Sequence, residues 1–169
     1  VPDLCIWYGP DTYMGDNLRT VFGRLATANP TEVAAVHPDH TPESIAALLE
    51  RFEVFPQGNC VVHHMFGAEV VERVRDDHPD ALYTAHLEVP GEMFALAAEA
   101  ARSGRGCVGS TSDILNFIGE RLSSRIARDE PGRIQVVLGT EAGMITAIVA
   151  RVERVLAAAD CRDIDVEII

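Results

Sequence analysis

The chain has 169 residues, with 14 Lys+Arg against 26 Asp+Glu and a formal net charge of −12. All 14 basic residues are arginine, which excludes a Schiff-base lysine and a P-loop lysine within this stretch. The acidic balance argues against a nucleic-acid partner, which needs a basic stripe to displace counterions, and a hydrophobic fraction of 47% is that of an ordinary globular chain with one domain, or one and a piece.

Leu4-Cys5-Ile6-Trp7-Tyr8 reads as a buried strand closed by Gly9-Pro10. Residues 16 to 26 carry Leu18, Val21, Phe22 and Leu25 at helical spacing. Thr41-Pro42-Glu43 is a helix start, with Thr as N-cap, Pro at the first helical position and an acid in the first turn; the helix runs to Arg51. Glu53-Val54-Phe55 is a short strand, and a linker-like break follows at Pro56-Gln57-Gly58-Asn59. Residues 65 to 77 read as a helix with Val70, Val71 and Val74 inward. A strand spans 82 to 87, and an Ala-rich helix spans 90 to 102 with Gly104 beyond its end. A short strand at 106 to 108 leads to a helix over 112 to 127. A β-branched strand covers 134 to 138, a long helix 141 to 158 and a last strand 164 to 169. This alternation predicts the α/β class: a three-layer αβα lobe around a four-stranded parallel sheet.

No apolar run reaches the roughly 18 residues of a membrane span, so no membrane partner is expected. The start, Val1-Pro2-Asp3-Leu4, has neither Met nor a signal-peptide pattern and reads as that of a fragment or processed form. Cys5, Cys60, Cys107 and Cys161 are widely spaced and form no zinc pattern.

In open parallel sheets, ligands bind beyond the carboxyl ends of the strands. Three of these ends carry unusual polar groups: His86 with Glu88, then Gly109-Ser110-Thr111-Ser112, then Gly139-Thr140-Glu141. A strand that ends in Gly and Ser/Thr and then opens a helix offers N–H groups and hydroxyls to a phosphate or carboxylate. The plainer alternative is an N-cap by Ser112 or Thr111, with Gly109 easing the chain reversal. Thr140 and Glu141 admit the same two readings. In an extended segment His86 and Glu88 point to one side, where they can share proton-transfer work; a His bonded to backbone beside a helix start is the alternative. Cys60 follows a Gly-Asn loop and precedes a helix, which suits a thiolate ligand or nucleophile, or else an inert buried thiol. The adjacent His63 and His64 cannot face the same way.

These pieces occur in one order: Gly9-Pro10-Asp11 with Tyr13-Met14-Gly15, Gly58-Asn59-Cys60-Val61-Val62-His63, His86-Leu87-Glu88, Val108-Gly109-Ser110-Thr111-Ser112 and Gly139-Thr140-Glu141-Ala142-Gly143. The set resembles the quinolinate synthase (NadA) family. His63-His64-Met65-Phe66-Gly67 and Glu88-Val89-Pro90-Gly91-Glu92-Met93-Phe94 look like its plant and algal plastid type. The resemblance implies α/β lobes around a pseudo-threefold axis and a central [4Fe-4S] cluster held by three cysteines, with one iron open as a Lewis acid. It also implies condensation of iminoaspartate with dihydroxyacetone phosphate to give quinolinate for NAD synthesis. By position, Cys60 resembles the second cluster ligand, and His86 and Glu88 resemble the family's substrate-contacting, proton-transferring pair. Ser110 and Thr111 resemble its substrate-anion turn, and Thr140 and Glu141 its Thr-Glu segment.

The family's first lobe and its third-ligand segment find no counterpart here, and Cys5, Cys107 and Cys161 match no ligand. Residues 1–58 thus resemble the rear part of the second lobe, and 59–169 a complete third lobe. The resemblance implies a piece that is inactive alone, without its cluster, and that exposes a former interface suited to homodimer formation. It implies the plastid stroma for a plant or algal chain and the cytoplasm otherwise. The competing expectations are a standalone flavodoxin-like module for small anions, and a zinc hydrolase on His63, His86 and Glu88.

Overall fold

A computed structural model describes residues 4–58 and 67–169. The chain forms two compact units, residues 1–60 and 61–169.

In the first unit, β1 (Ile6–Tyr8) pairs in parallel with β2 (Phe52–Val54), Ile6 opposite Phe52. Three helices connect them: α1 (Thr12–Leu25), α2 (Pro30–Val36) and α3 (Pro42–Leu49). Each starts on a side-chain cap, from Asp11, Asn29 and Thr41 respectively. Thr41 and Ser44 form a reciprocal capping box with Pro42 at the first helical position, as the Thr-Pro-Glu signal predicts. Val33, Ile45 and Phe52 form the buried centre, with the Phe22 ring edge-on to Phe52 at 5.5 Å. Gly15 lets α1 lie on β2, since a Cβ there would meet Val54 Cγ1 at 2.4 Å.

The second unit holds one parallel sheet in the order β4-β3-β5-β6. Its strands are β3 (Leu82–His86), β4 (Gly106–Gly109), β5 (Gly132–Gly139) and β6 (Ile164–Ile168). Its helices are α4 (Ala68–Asp77), α5 (Gly91–Arg102), α6 (Thr111–Ala127) and α7 (Ile145–Ala158). Strand alternation divides the core between two faces. Ile134, Val136 and Leu138 of β5 join Ile114, Ile118 and Leu122 of α6 and Ile148 and Val152 of α7. On the other face Tyr83, Ala85 and Val137 are buried, with Met93, Phe94 and Ala97 of α5. This is the expected three-layer arrangement with a four-stranded parallel sheet.

Several local expectations are corrected. The first strand is shorter than read and is not buried: Trp7 is 67% exposed, its ring 5.7 Å from that of Phe55, itself half exposed. Helix α4 turns Val71 inward and leaves Val70 exposed, because only one of two consecutive positions can face a core across a helix. The start of that helix as read, 65 and 66, lies outside the described residues. A 3₁₀ turn (Ala142–Met144) precedes α7, where one continuous helix from 141 was expected. Helix α2 was not anticipated. It is seven residues long and buries only Val33, too short for periodicity to show, and its one signal is the Asn29-Pro30 start.

Two glycines set the distance between layers. A Cβ on Gly106 would lie 2.1 Å from the Ala97 carbonyl oxygen of α5, and one on Gly139 would lie 2.7 Å from the Thr84 carbonyl oxygen. Backbone atoms cannot swing aside. Gly106→Ala is expected to cost about 3 kcal/mol, the upper range for overpacking. A urea midpoint unchanged from wild type would contradict it.

Candidate active site

The ladder registers bring the three strand ends together. His86 stands opposite Gly109 in the β3–β4 pair, and Ala85 stands opposite Gly139 in the β3–β5 pair. Neighbouring strands lie about 4.8 Å apart, so the residues that follow, Leu87-Glu88, Ser110-Thr111 and Thr140-Glu141, emerge side by side from one sheet edge. The connection out of β3 goes to β4 on one side, and the chain then crosses to β5 on the other. The strand order therefore reverses at β3/β5, and a crevice opens at such a switch point beyond the carboxyl ends.

His86 and Glu88 do meet, though not by strand alternation. Val89 donates its N–H to the His86 carbonyl at 3.3 Å, closing a turn over 86–89. Val89 is fully buried and pins the turn. The turn folds Glu88 back on the ring: its backbone N–H approaches His86 Nδ1 at 3.4 Å and its carboxylate Oε2 lies 3.8 Å from the same atom. The two contacts are alternatives. A neutral ring accepts the N–H at Nδ1, whereas a protonated ring donates toward the carboxylate. The side chains are 20% and 34% exposed, open enough to reach a ligand.

At the second strand end, Ser110 is the N-cap of α6, not Ser112 or Thr111. Its hydroxyl donates to Asp113 Oδ2 at 2.6 Å, its backbone N–H donates to the same oxygen at 2.7 Å, and the Asp113 N–H returns to the hydroxyl at 3.4 Å. Gly109 has no left-handed backbone to accommodate, so chain reversal is not its reason. A Cβ there would strike Asp113 Oδ2 at 2.6 Å; the glycine admits the capping carboxylate. The Ser110 hydroxyl and then the Ser110 N–H hold the Asp113 carboxyl below its ordinary value. Thr111, the first helical residue, is exposed at the mouth of the turn.

At the third end, Thr140 is buried and its hydroxyl donates to Met144 Sδ at 3.2 Å, while Glu141 is exposed. Asp113 is the residue sequence reasoning missed. Its signal was the Ser-x-x-Asp spacing of a capping box.

Cys60, His63 and His64 lie outside the described residues. Among the described residues no three His, Cys, Asp or Glu side chains gather in a way that could hold a metal. The cysteines of the second unit are unsuited to a cluster at the strand ends. Cys107 packs against the α6–α7 face of the sheet, and burial pushes its thiol up, with Asp113 and Glu120 adding to the effect. Cys161 lies beyond α7, ahead of β6. Among the described residues no helix is long and apolar enough to cross a membrane.

The model of the family described as quinolinate synthetase A protein (NadA) matches residues 2–164. The chain is 53% identical over 160 residues to a quinolinate synthase, chloroplastic, of Nicotiana tabacum, covering 95% of this chain and 22% of that protein. It is 46% identical over all 169 residues to its namesake in Arabidopsis thaliana, 24% of that protein. A quinolinate synthase of Saccharolobus solfataricus is 31% identical over 96 residues, 57% of this chain and 25% of that protein. The chain thus spans between a fifth and a quarter of the length of these curated relatives. Both plant relatives are named chloroplastic, which supports a plastid location.

Ser110→Ala is expected to lower stability by about 1 kcal/mol at neutral pH, the usual worth of an N-cap. The folded Asp113 carboxyl sits below its unfolded value, so its share is complete above the unfolded carboxylate range and is lost as pH falls through the folded value. The gap between variant and wild type therefore narrows on acidification. Urea midpoints across a pH series would show it, and a pH-independent gap would contradict the role of Asp113.

Proposed function

The chain belongs to the quinolinate synthetase A (NadA) family, and from that premise we propose that it carries part of the active site of a plastid quinolinate synthase. The reaction is the condensation of iminoaspartate with dihydroxyacetone phosphate to quinolinate, with loss of phosphate and water, in NAD biosynthesis. The observation that carries this reading is the alignment of His86-Leu87-Glu88, Ser110-Thr111 and Thr140-Glu141 on one sheet edge at the β3/β5 reversal. Residues 1–58 correspond in this reading to the rear of the family's second lobe, and 59–169 to its third.

Each residue then has a task its surroundings suit. Thr111 offers its hydroxyl and a first-turn N–H to a substrate carboxylate or phosphate. Ser110 shapes that turn, and its hydroxyl reaches substrate only by releasing Asp113. Glu88 takes up and returns protons at the reacting carbons, and His86, held against it by the 86–89 turn, orients and shares the proton. Thr140 braces the loop through Met144, leaving Glu141 to face the ligand.

Cys60 would be one of the thiolates that hold the family's [4Fe-4S] cluster, which supplies a Lewis-acidic iron when bound. A single thiolate does not retain such a cluster, so the 169 residues alone are expected to be inactive.

Anaerobic reconstitution of the full-length polypeptide with iron and sulfide tests the assignment. Cys60→Ala is expected to lose the cluster absorbance. Glu88→Gln is expected to keep it while turnover falls about 100-fold or more, the lower range for a lost general acid–base. Turnover of Glu88→Gln at the wild-type rate would refute the proton role, and a stoichiometric, active cluster on the 169-residue chain would refute the expected inactivity.

A further inference from the structure

The opposite end of the second unit's sheet carries a different feature. An open cleft of about 490 Å³ lies where α4 and α5 end and where β3 and β4 begin. Arg75, Arg102 and Arg105 line it, with Tyr83, Leu96 and Ala100 forming part of its wall. Three of the chain's 14 arginines thus meet in one depression of a protein whose net charge is −12.

Helix-dipole compensation is the ordinary explanation for arginine at helix ends, and Arg75 and Arg102 do occupy last turns. It does not account for this group. The terminal carbonyls of α5 are already bonded: Ala100 accepts from the N–H groups of Ser103 and Arg105 and from the Ser103 hydroxyl, and Ala101 accepts from Gly104. Arg105 belongs to no helix, and its guanidinium is fixed on the Pro79 carbonyl at 2.7 Å. Among the described residues none of the three is ion-paired, though Arg73 one turn away on α4 pairs with Glu69. Glu99 is the one acidic residue of the lining, with Asp80 near Tyr83. Burial pushes the Tyr83 hydroxyl up, Arg105 and then Arg75 oppose it, and the hydroxyl donates to the His78 carbonyl at 2.5 Å. Three arginines against one lining carboxylate leave the cleft with a positive excess, and planar guanidinium forks match the geometry of phosphate and carboxylate.

We propose that this cleft binds a small organic anion bearing a phosphate or paired carboxylates, at a site separate from the strand-end active site. Arg105, fixed on the Pro79 carbonyl, and the exposed Arg75 and Arg102 clasp the charged group, and Leu96 and Ala100 meet its carbon body. The volume falls in the range of small-molecule sites. Because the cleft adjoins the starts of β3 and β4, whose other ends carry His86 and Ser110, a ligand here sits on the same two strands as the active site and suits a regulatory role.

Calorimetric titration of the full-length polypeptide with inorganic pyrophosphate, and separately with phthalate, distinguishes the phosphate and carboxylate sources. Saturable binding of at least one probe is expected. Arg75→Ala with Arg102→Ala should weaken it about tenfold or more, as for loss of a charge-assisted hydrogen bond, while Arg73→Ala leaves it unchanged. Should the double variant not fold, Arg102→Gln alone replaces it, since Arg102 is exposed. No saturable heat with either probe up to about 10 mM, the weak limit of specific affinity, would overturn the proposal. So would equal affinity in wild type and the cleft variant, since the heat would then arise elsewhere.

Discussion

Everything at the candidate site depends on β3 lying between β4 and β5, parallel to both and in a fixed register. A one-residue slip would turn the side chains of β3 to the opposite face and carry His86 away from Gly109. Two contacts resist that slip. The Thr84 hydroxyl, fully buried, donates to the Val137 carbonyl of β5 at 3.0 Å. Gly139 passes so close to Met93 that a Cβ there would fall 2.8 Å from its Cγ, which ties the end of β5 to the first turn of α5. A buried hydroxyl without its partner would be costly, so the pair specifies register as well as adding stability.

The anion-binding turn is more constrained than its sequence implies. A Gly-Ser-Thr-Ser segment before a helix suggests unsatisfied donors facing a ligand. In the folded chain, the first of those donors is spent on Asp113, whose carboxylate occupies the positive end of α6. An incoming anion meets Thr111 and the next N–H groups, and it also meets that carboxylate. In the proposed reading substrate binding and helix capping share one turn, and exchange of the Ser110 hydroxyl between Asp113 and a ligand would couple the two.

The regular elements were legible because their causes are local. The β-branched run of β5, the Thr-Pro-Glu start of α3 and the Ala-rich α5 between Pro90 and Gly104 all announce themselves within a few residues. The sites of error were tertiary or too short. Trp7 is apolar yet exposed, which no local pattern reveals, and α2 buries only Val33, leaving periodicity nothing to detect. At the candidate site the residue types were legible but their geometry was not. His86 and Glu88 were expected to align by strand alternation and are brought together instead by a turn anchored on buried Val89. The role of Gly109 was invisible for a similar reason: the atom it makes room for belongs to a residue four positions on.

The strand-end loops of the second unit are acidic, and this bears on what the proposed strand-end site requires. The loops at the carboxyl ends carry Glu88, Glu92, Asp113 and Glu141, and residues 87–92, 109–113 and 139–144 include no arginine. Arg75, Arg102 and Arg105 lie instead at the amino ends, together with Glu99. A negatively charged substrate entering the switch-point crevice therefore meets helix dipoles that attract it and carboxylates that repel it. The full charges outweigh the dipoles, which amount to about half an elementary charge per helix end. In the proposed reading, positive charge arrives from a group these loops do not contain. An iron site held by Cys60 would meet that requirement. In the proposed reading, the acidity of the strand-end loops is thus what an electrophilic partner would offset at this end of the sheet.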